Sequence, residues 1–174
     1  MPGYRWRMTH TASRPAAFRD YDPDDAVDLE GFAGSLAAFG VTAAGVALLA
    51  RARADRIPER IAVTDVVLGG LATHKLSRLL AKGAVTSPLR AWFTTFEEPA
   101  GASEHVESPR GEHGVRHTLG ELLTCPFCLA QWIGLGYVAG LMLAPRATRA
   151  GAAIFAVTAL SDSLQHVYQH LLDD

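Results

Sequence analysis

The sequence predicts an all-α membrane protein, and three observations carry that prediction. Residues 31–50 and residues 126–145 are two runs without a charged side chain, each long enough to cross the hydrocarbon core of a bilayer as a helix of about 20 residues. The charged residues are gathered instead in the first thirty positions, in 51–60 and in 75–121. The composition, 49% hydrophobic and 20% charged, lies near the soluble average, so it is the segregation of charge and not its amount that points to lipid. A chain of 174 residues holds one ordinary domain or a bundle of about four spanning helices.

In chain order, residues 1–29 read as a loosely held tail, basic at first and acidic from Asp20 to Asp28. Residues 30–174 then form a single helical membrane domain. The run 31–50 is rich in glycine and alanine, and its small residues Gly34, Ser35, Ala38 and Thr42 would permit close helix contact in lipid, with another protein or a second copy of the chain. A half-apolar helix is expected over 61–82. Its first half is apolar apart from Asp65, and its second half carries Lys75, Arg78 and Lys82 on one face. Ser87-Pro88 is a helix-start signal, and Trp92, Phe93 and Phe96 follow at roughly helical spacing, which predicts a short interfacial helix over 88–97. Residues 98–117, with Pro99, Gly101, Pro109, Gly111 and Gly114, read as a polar loop. Thr118 with Glu121 matches a capping box that opens the next helical segment. Pro126 restarts the chain into the second strong span, with Trp132 near one end as an interface anchor. The last helix, 151–172, is apolar only in its first half. The architecture is that of a multi-pass protein of the cell membrane.

Orientation stays open at this level. Arg51, Arg53, Arg56, Arg60, Arg146 and Arg149 lie on one side of the strong spans and the other ten basic residues on the opposite side, so the short loops and the total disagree under the positive-inside rule. The net charge of −2 and the lack of a long basic block argue against nucleic acid as a partner. The lipid bilayer is the expected partner.

Chemistry concentrates at Cys125-Pro126-Phe127-Cys128. With Thr124 or Cys125 as cap and Pro126 in the first turn, both sulfurs fall at a helix N-terminus, where free N–H groups and the macrodipole stabilise a thiolate. Three readings stand. Cys125 and Cys128 are a redox pair, with Cys125 as nucleophile and Cys128 as resolving thiol. Or they join His113 and His117, with His105 as a substitute, in a zinc site of two sulfur and two nitrogen donors. Or they are small buried residues at a broken helix start. Asp162, His166 and His170 step by four along one face of the last helix, either lining the bundle interior or facing water where the helix leaves the membrane. Asp65, inside an otherwise apolar stretch, calls for a basic partner on a neighbouring helix. No phosphate-cradling glycine loop or hydrolase triad with supporting context is present, so an enzyme is the minority reading.

The stretch from Ala72 to Leu80 (Ala-Thr-His-Lys-Leu-Ser-Arg-Leu-Leu), then Val85 to Arg90 (Val-Thr-Ser-Pro-Leu-Arg), then Glu121 to Cys128 followed by Trp132, resembles the bacterial family known as domain of unknown function 1360. The resemblance covers roughly residues 63–172 and leaves the tail and the first apolar run outside the family core. It implies a small membrane protein and supplies no activity. The expectation is a bacterial integral membrane protein with a structural or partner-binding role, with a membrane thiol–disulfide oxidoreductase or a zinc-stabilised membrane module as alternatives.

Overall fold

Helix formation follows the apolar runs but outgrows them, because flanking polar residues find partners. The computed structural model describes residues 15–24, 26–53, 61–101 and 103–173. The elements are α1 (Ala16–Tyr21), α2 (Leu29–Ala52), α3 (Val63–Lys82), α4 (Ser87–Arg90), β1 (Thr94–Pro99), β2 (His105–Pro109), α5 (Val115–Thr124), α6 (Pro126–Leu143) and α7 (Pro145–Asp173), with a 3₁₀ turn over Ala84–Thr86 before α4.

Helix α3 is the centre of the bundle and packs on both α6 and α7. Asp65 of α3 pairs with Arg149 of α7, and Lys75, about three turns on, pairs with Asp162, so these two helices run parallel. The Tyr137 hydroxyl of α6 donates to the Asp65 carbonyl at 2.9 Å, which places the end of α6 beside the start of α3 and makes α6 antiparallel to both. Helix α2 meets α6 through an edge-on contact of Phe39 and Trp132, ring centroids 5.3 Å apart. Close approach is made by small residues. A Cβ at Gly69 would lie 2.2 Å from the Tyr137 ring, and one at Gly140 would lie 2.7 Å from the Thr148 hydroxyl.

The buried apolar residues among those described are Ala72, Ala81, Leu129, Ala152, Ala156 and Ala159, whereas Leu36, Val41, Leu48, Val66, Ile154, Val157 and Leu164 are exposed. Water-soluble bundles bury their large aliphatic side chains. Here the seam between α3 and α7 is alanine and the bulky aliphatic residues lie outside it. Helices α2 and α6 are long and apolar enough to cross a membrane by length and composition.

Several expectations change. The interfacial helix over 88–97 is only one turn, Ser87–Arg90, and the chain then enters β1. Arg90 turns inward and is 1% exposed, while Thr94, Thr95 and Phe96 have the β-branched and aromatic character that suits a strand. The loop expected over 98–117 contains β2, paired antiparallel with β1 from Thr94 opposite Pro109 to Pro99 opposite His105, with an irregularity between Phe96 and Glu98. The fold is therefore mostly helical with a two-stranded sheet, not all-α. The helix after the loop starts at Val115, not at a Thr118 cap. Its N-cap is Gly114 at φ 90, a conformation open to glycine, and the Thr118 hydroxyl is spent on Asp28 instead. Helix α7 begins at Pro145, six residues before the expected start, because proline is tolerated in a first turn and Arg149 is neutralised by Asp65. Within the expected tail, Ala16–Tyr21 is helical and Asp22 accepts from the Ala26 and Val27 amides. Residues 1–14, Arg56 and Arg60 lie outside the described residues.

Candidate functional site

The end of the bundle that carries the hairpin also carries most of the polar side chains, and they fall into three groups. The first is a buried network that fixes the hairpin to the bundle. Arg90 reaches under β2 and donates to both oxygens of Glu107, Nε to Oε2 at 2.9 Å and Nη2 to Oε1 at 2.6 Å. Its remaining N–H groups go to the carbonyls of Leu80 and Gly83 and to the Thr86 and Ser87 hydroxyls. Glu107 also accepts from Ser87 at 3.0 Å and Thr94 at 2.7 Å. Burial alone would raise the Glu107 pKa, but the hydrogen bonds from Arg90, Thr94 and Ser87 outweigh it and hold the carboxyl below its usual range. The arrangement satisfies the planar fork of an arginine on every side, as a buried ion pair requires.

The second group lines a cleft of about 740 Å³ between α3, the β1–β2 turn and α7, with His74, Lys75, Arg78, Glu104, Asp162 and His166 in its walls. Two ion pairs cross it. Lys75 bonds Asp162, and Arg78 holds Glu104 by two bonds of 2.8 Å. Asp162 and His166, which sequence spacing put on one face, both line this cleft; His170 is exposed. The basic partner expected for Asp65 is Arg149, joined by bonds of 2.7 and 2.8 Å.

The third group is the cysteine pair. Cys125 is the N-cap of α6, with Pro126 in the first turn, and its Sγ accepts the Cys128 N–H at 3.2 Å. Cys125 and Cys128 are joined as a disulfide, their Cα atoms 5.3 Å apart. Cys125 is half-buried, Cys128 is exposed, and Phe127 between them is 85% exposed. The histidines proposed as co-ligands do not converge on this pair. The His113 and His117 rings are 6.5 Å apart, His117 bonds the Gly111 carbonyl through Nδ1 at 2.9 Å and faces Glu121 at 3.5 Å through Nε2, and His105 bonds Ser87. Among the described residues no three His, Cys, Asp or Glu side chains are grouped to hold a metal ion.

A further cleft of about 700 Å³ lies between α2 and α5. At its rim Asp28 caps α2 through the Gly31 amide at 3.0 Å and accepts from Thr118 at 2.9 Å. Burial opposes ionisation of Asp28, but the bonds from Thr118, Gly31 and Gly114 and the charge of His113 bring its pKa below the ordinary value.

The sequence pattern of the family described as Protein of unknown function (DUF1360) matches residues 68–168. That region takes in most of α3, the hairpin, the cysteine pair, α6 and most of α7, and leaves α2 outside. Over 70 residues the chain is 37% identical to the Sporulation protein YjcA of Bacillus subtilis (strain 168), a match covering 38% of this chain and 58% of that protein. The chain thus spans a little over half the length of that relative. No solved structure matches. The chain belongs to the DUF1360 family.

Proposed function

Taking membership of the DUF1360 family as the premise, we propose that this is a multi-pass integral membrane protein with a structural or partner-binding role. Helices α2, α3, α6 and α7 cross the bilayer in alternating directions, and the hairpin with α5 forms a polar headpiece at one face. The observation that carries the reading is helix α2. It has 24 residues, about 36 Å at the helical rise, and none of them is buried. Nothing but lipid or another protein could cover such a surface at a tolerable cost in water. Helices α3 and α7 are compatible with crossing because their charges meet each other, Asp65 with Arg149 and Lys75 with Asp162, while Val63, Val66, Val67, Ile154 and Val157 point outward.

The docking surface is the headpiece with the start of α6, and the small residues Gly34, Ser35 and Ala38 of α2 offer a second contact for another copy of the chain. The test is extraction of bacterial membranes at alkaline pH. The protein stays in the pellet and needs detergent for release; recovery in the aqueous supernatant would reject the reading. A zinc-stabilised module would need the cysteines reduced and moved toward His113 and His117, and elemental analysis of the purified reduced protein tests it.

A further inference from the structure

The two cysteines of the sequence are the Cys125–Cys128 pair, and as a staple that pair does little. It closes a loop with a sequence separation of 3 at a helix start that Pro126 and the cap already order, and loop-closure entropy gives little constraint from so short a loop. Its surroundings suit reaction better. The sulfurs are inequivalent. Cys125 is half-buried and accepts the Cys128 N–H at 3.2 Å, in the field of the N-terminus of an 18-residue helix, so a thiolate there is stabilised. Cys128 is on the outside of the same turn, exposed, beside the exposed ring of Phe127.

We propose that this disulfide is a thiol–disulfide exchange site for a protein dithiol, with Cys128 as the sulfur that forms the mixed disulfide and Cys125 as the leaving group. A partner thiolate attacks the Cys128 Sγ, a new sulfur–sulfur bond forms, and the Cys125–Cys128 bond breaks with its electron pair going to Cys125. A leaving thiol of lowered pKa departs faster. The partner's second thiolate then attacks its own sulfur in the mixed disulfide and expels Cys128. The partner dithiol is oxidised to a disulfide, the pair is reduced to two thiols, and the two protons lost by the partner are taken up on Cys125 and Cys128. This assigns the sulfurs the opposite way from the order that spacing alone suggests, because accessibility decides which sulfur is attacked. Phe127 supplies an apolar contact for a peptide segment carrying the attacking thiol. None of this depends on whether α2 spans a bilayer.

The experiment uses the full chain, oxidised, in detergent micelles. Reduced glutathione is added, the reaction is quenched with acid, and the glutathione adduct is mapped by mass spectrometry. The expected result is an adduct on Cys128 and a reaction at least about tenfold faster than that of the same disulfide in denaturant, as a stabilised leaving group requires. An adduct confined to Cys125, or a native disulfide slower than the unfolded one, overturns the proposal. A reduced peptide with an aromatic residue beside its cysteine is expected to react faster than glutathione, and Phe127→Ser is expected to remove that advantage. If Phe127→Ser leaves the peptide's advantage intact, the apolar peptide contact is wrong.

Discussion

Substitution of Arg90 by alanine is the sharpest test of how the headpiece is held. The guanidinium is 1% exposed and its partner Glu107 has a side-chain exposure of 4%. Removing it leaves a buried carboxylate with only the Ser87 and Thr94 hydroxyls and takes the guanidinium N–H from the Leu80 carbonyl, while the Gly83 carbonyl keeps the Thr86 hydroxyl and amide. Breaking a buried pair by removing one partner costs about 3–5 kcal/mol, because the remaining charge stays desolvated. An isolated two-stranded hairpin is marginal by itself, so a loss of that size is expected to open β1 and β2 while α3, α6 and α7 remain packed.

Amide hydrogen exchange of the purified protein reads this locally. At about 1.4 kcal/mol per factor of ten, the hairpin amides are expected to exchange roughly a hundred- to a few-thousand-fold faster in Arg90→Ala, with the α3 amides near Gly69 unchanged. Arg90→Lys keeps a charge but loses the planar fork, and is expected to fall between the two. The double variant Arg90→Met with Glu107→Leu removes both charges and is expected to recover part of the protection, since no ion is left stranded. A change below tenfold in Arg90→Ala, or a double variant worse than the single, would refute the reasoning.

Glu107 is held below the ordinary carboxylate range, so its contribution to headpiece stability is complete above that range and is lost as pH falls through the depressed value; the protection of the hairpin amides relative to their intrinsic exchange at each pH is expected to fall on acidification, and Glu107→Gln to flatten that pH dependence. Gly69→Val drives a side chain into Tyr137 and is expected to cost about 1–3 kcal/mol, seen as a lower midpoint of thermal unfolding in detergent and partly restored by Tyr137→Ala. Asp65→Ala is expected to lower the same midpoint by stranding Arg149, and the exchanged pair Asp65→Arg with Arg149→Asp to regain most of it; a swap no better than the single variant would show that the pair is incidental. Asp28→Ala removes both the α2 cap and the tie to Thr118 and is expected to cost about 1 kcal/mol or somewhat more, read as faster exchange of the Gly31 amide.

The long helices were legible because their signal is local. Uncharged runs at 31–50 and 126–145 appear as α2 and α6 within a few residues at each end, and Pro126 with Cys125 marks the start of α6 where the cap is found. The hairpin was not legible, since glycine, proline and charge in 98–117 describe a loop and a pair of short half-exposed strands equally well. What decides between them is Arg90, seventeen residues before its partner Glu107, and no periodicity links an arginine in one segment to a glutamate in another. The early start of α7 has the same cause, because Arg146 and Arg149 look like a terminus until Asp65 is placed beside Arg149.

The candidate residues divide along the same line. Asp65 could be read as needing a cation because a lone charge in an apolar stretch is costly anywhere, but the identity of that cation is a tertiary fact. Asp162 and His166 shared a face by spacing, and only the position of α3 and the β1–β2 turn converts that face into one wall of a cleft whose other wall carries Lys75 and Arg78. The cysteine pair differs from all of these, because its cap geometry lies within four residues and so follows from sequence, while the roles of the two sulfurs depend on which one the rest of the fold leaves open. The chemistry available at Cys125 and Cys128 is therefore set locally by the start of α6 and directed by the exposure of Cys128, and adduct mapping is the measurement on which those two contributions separate.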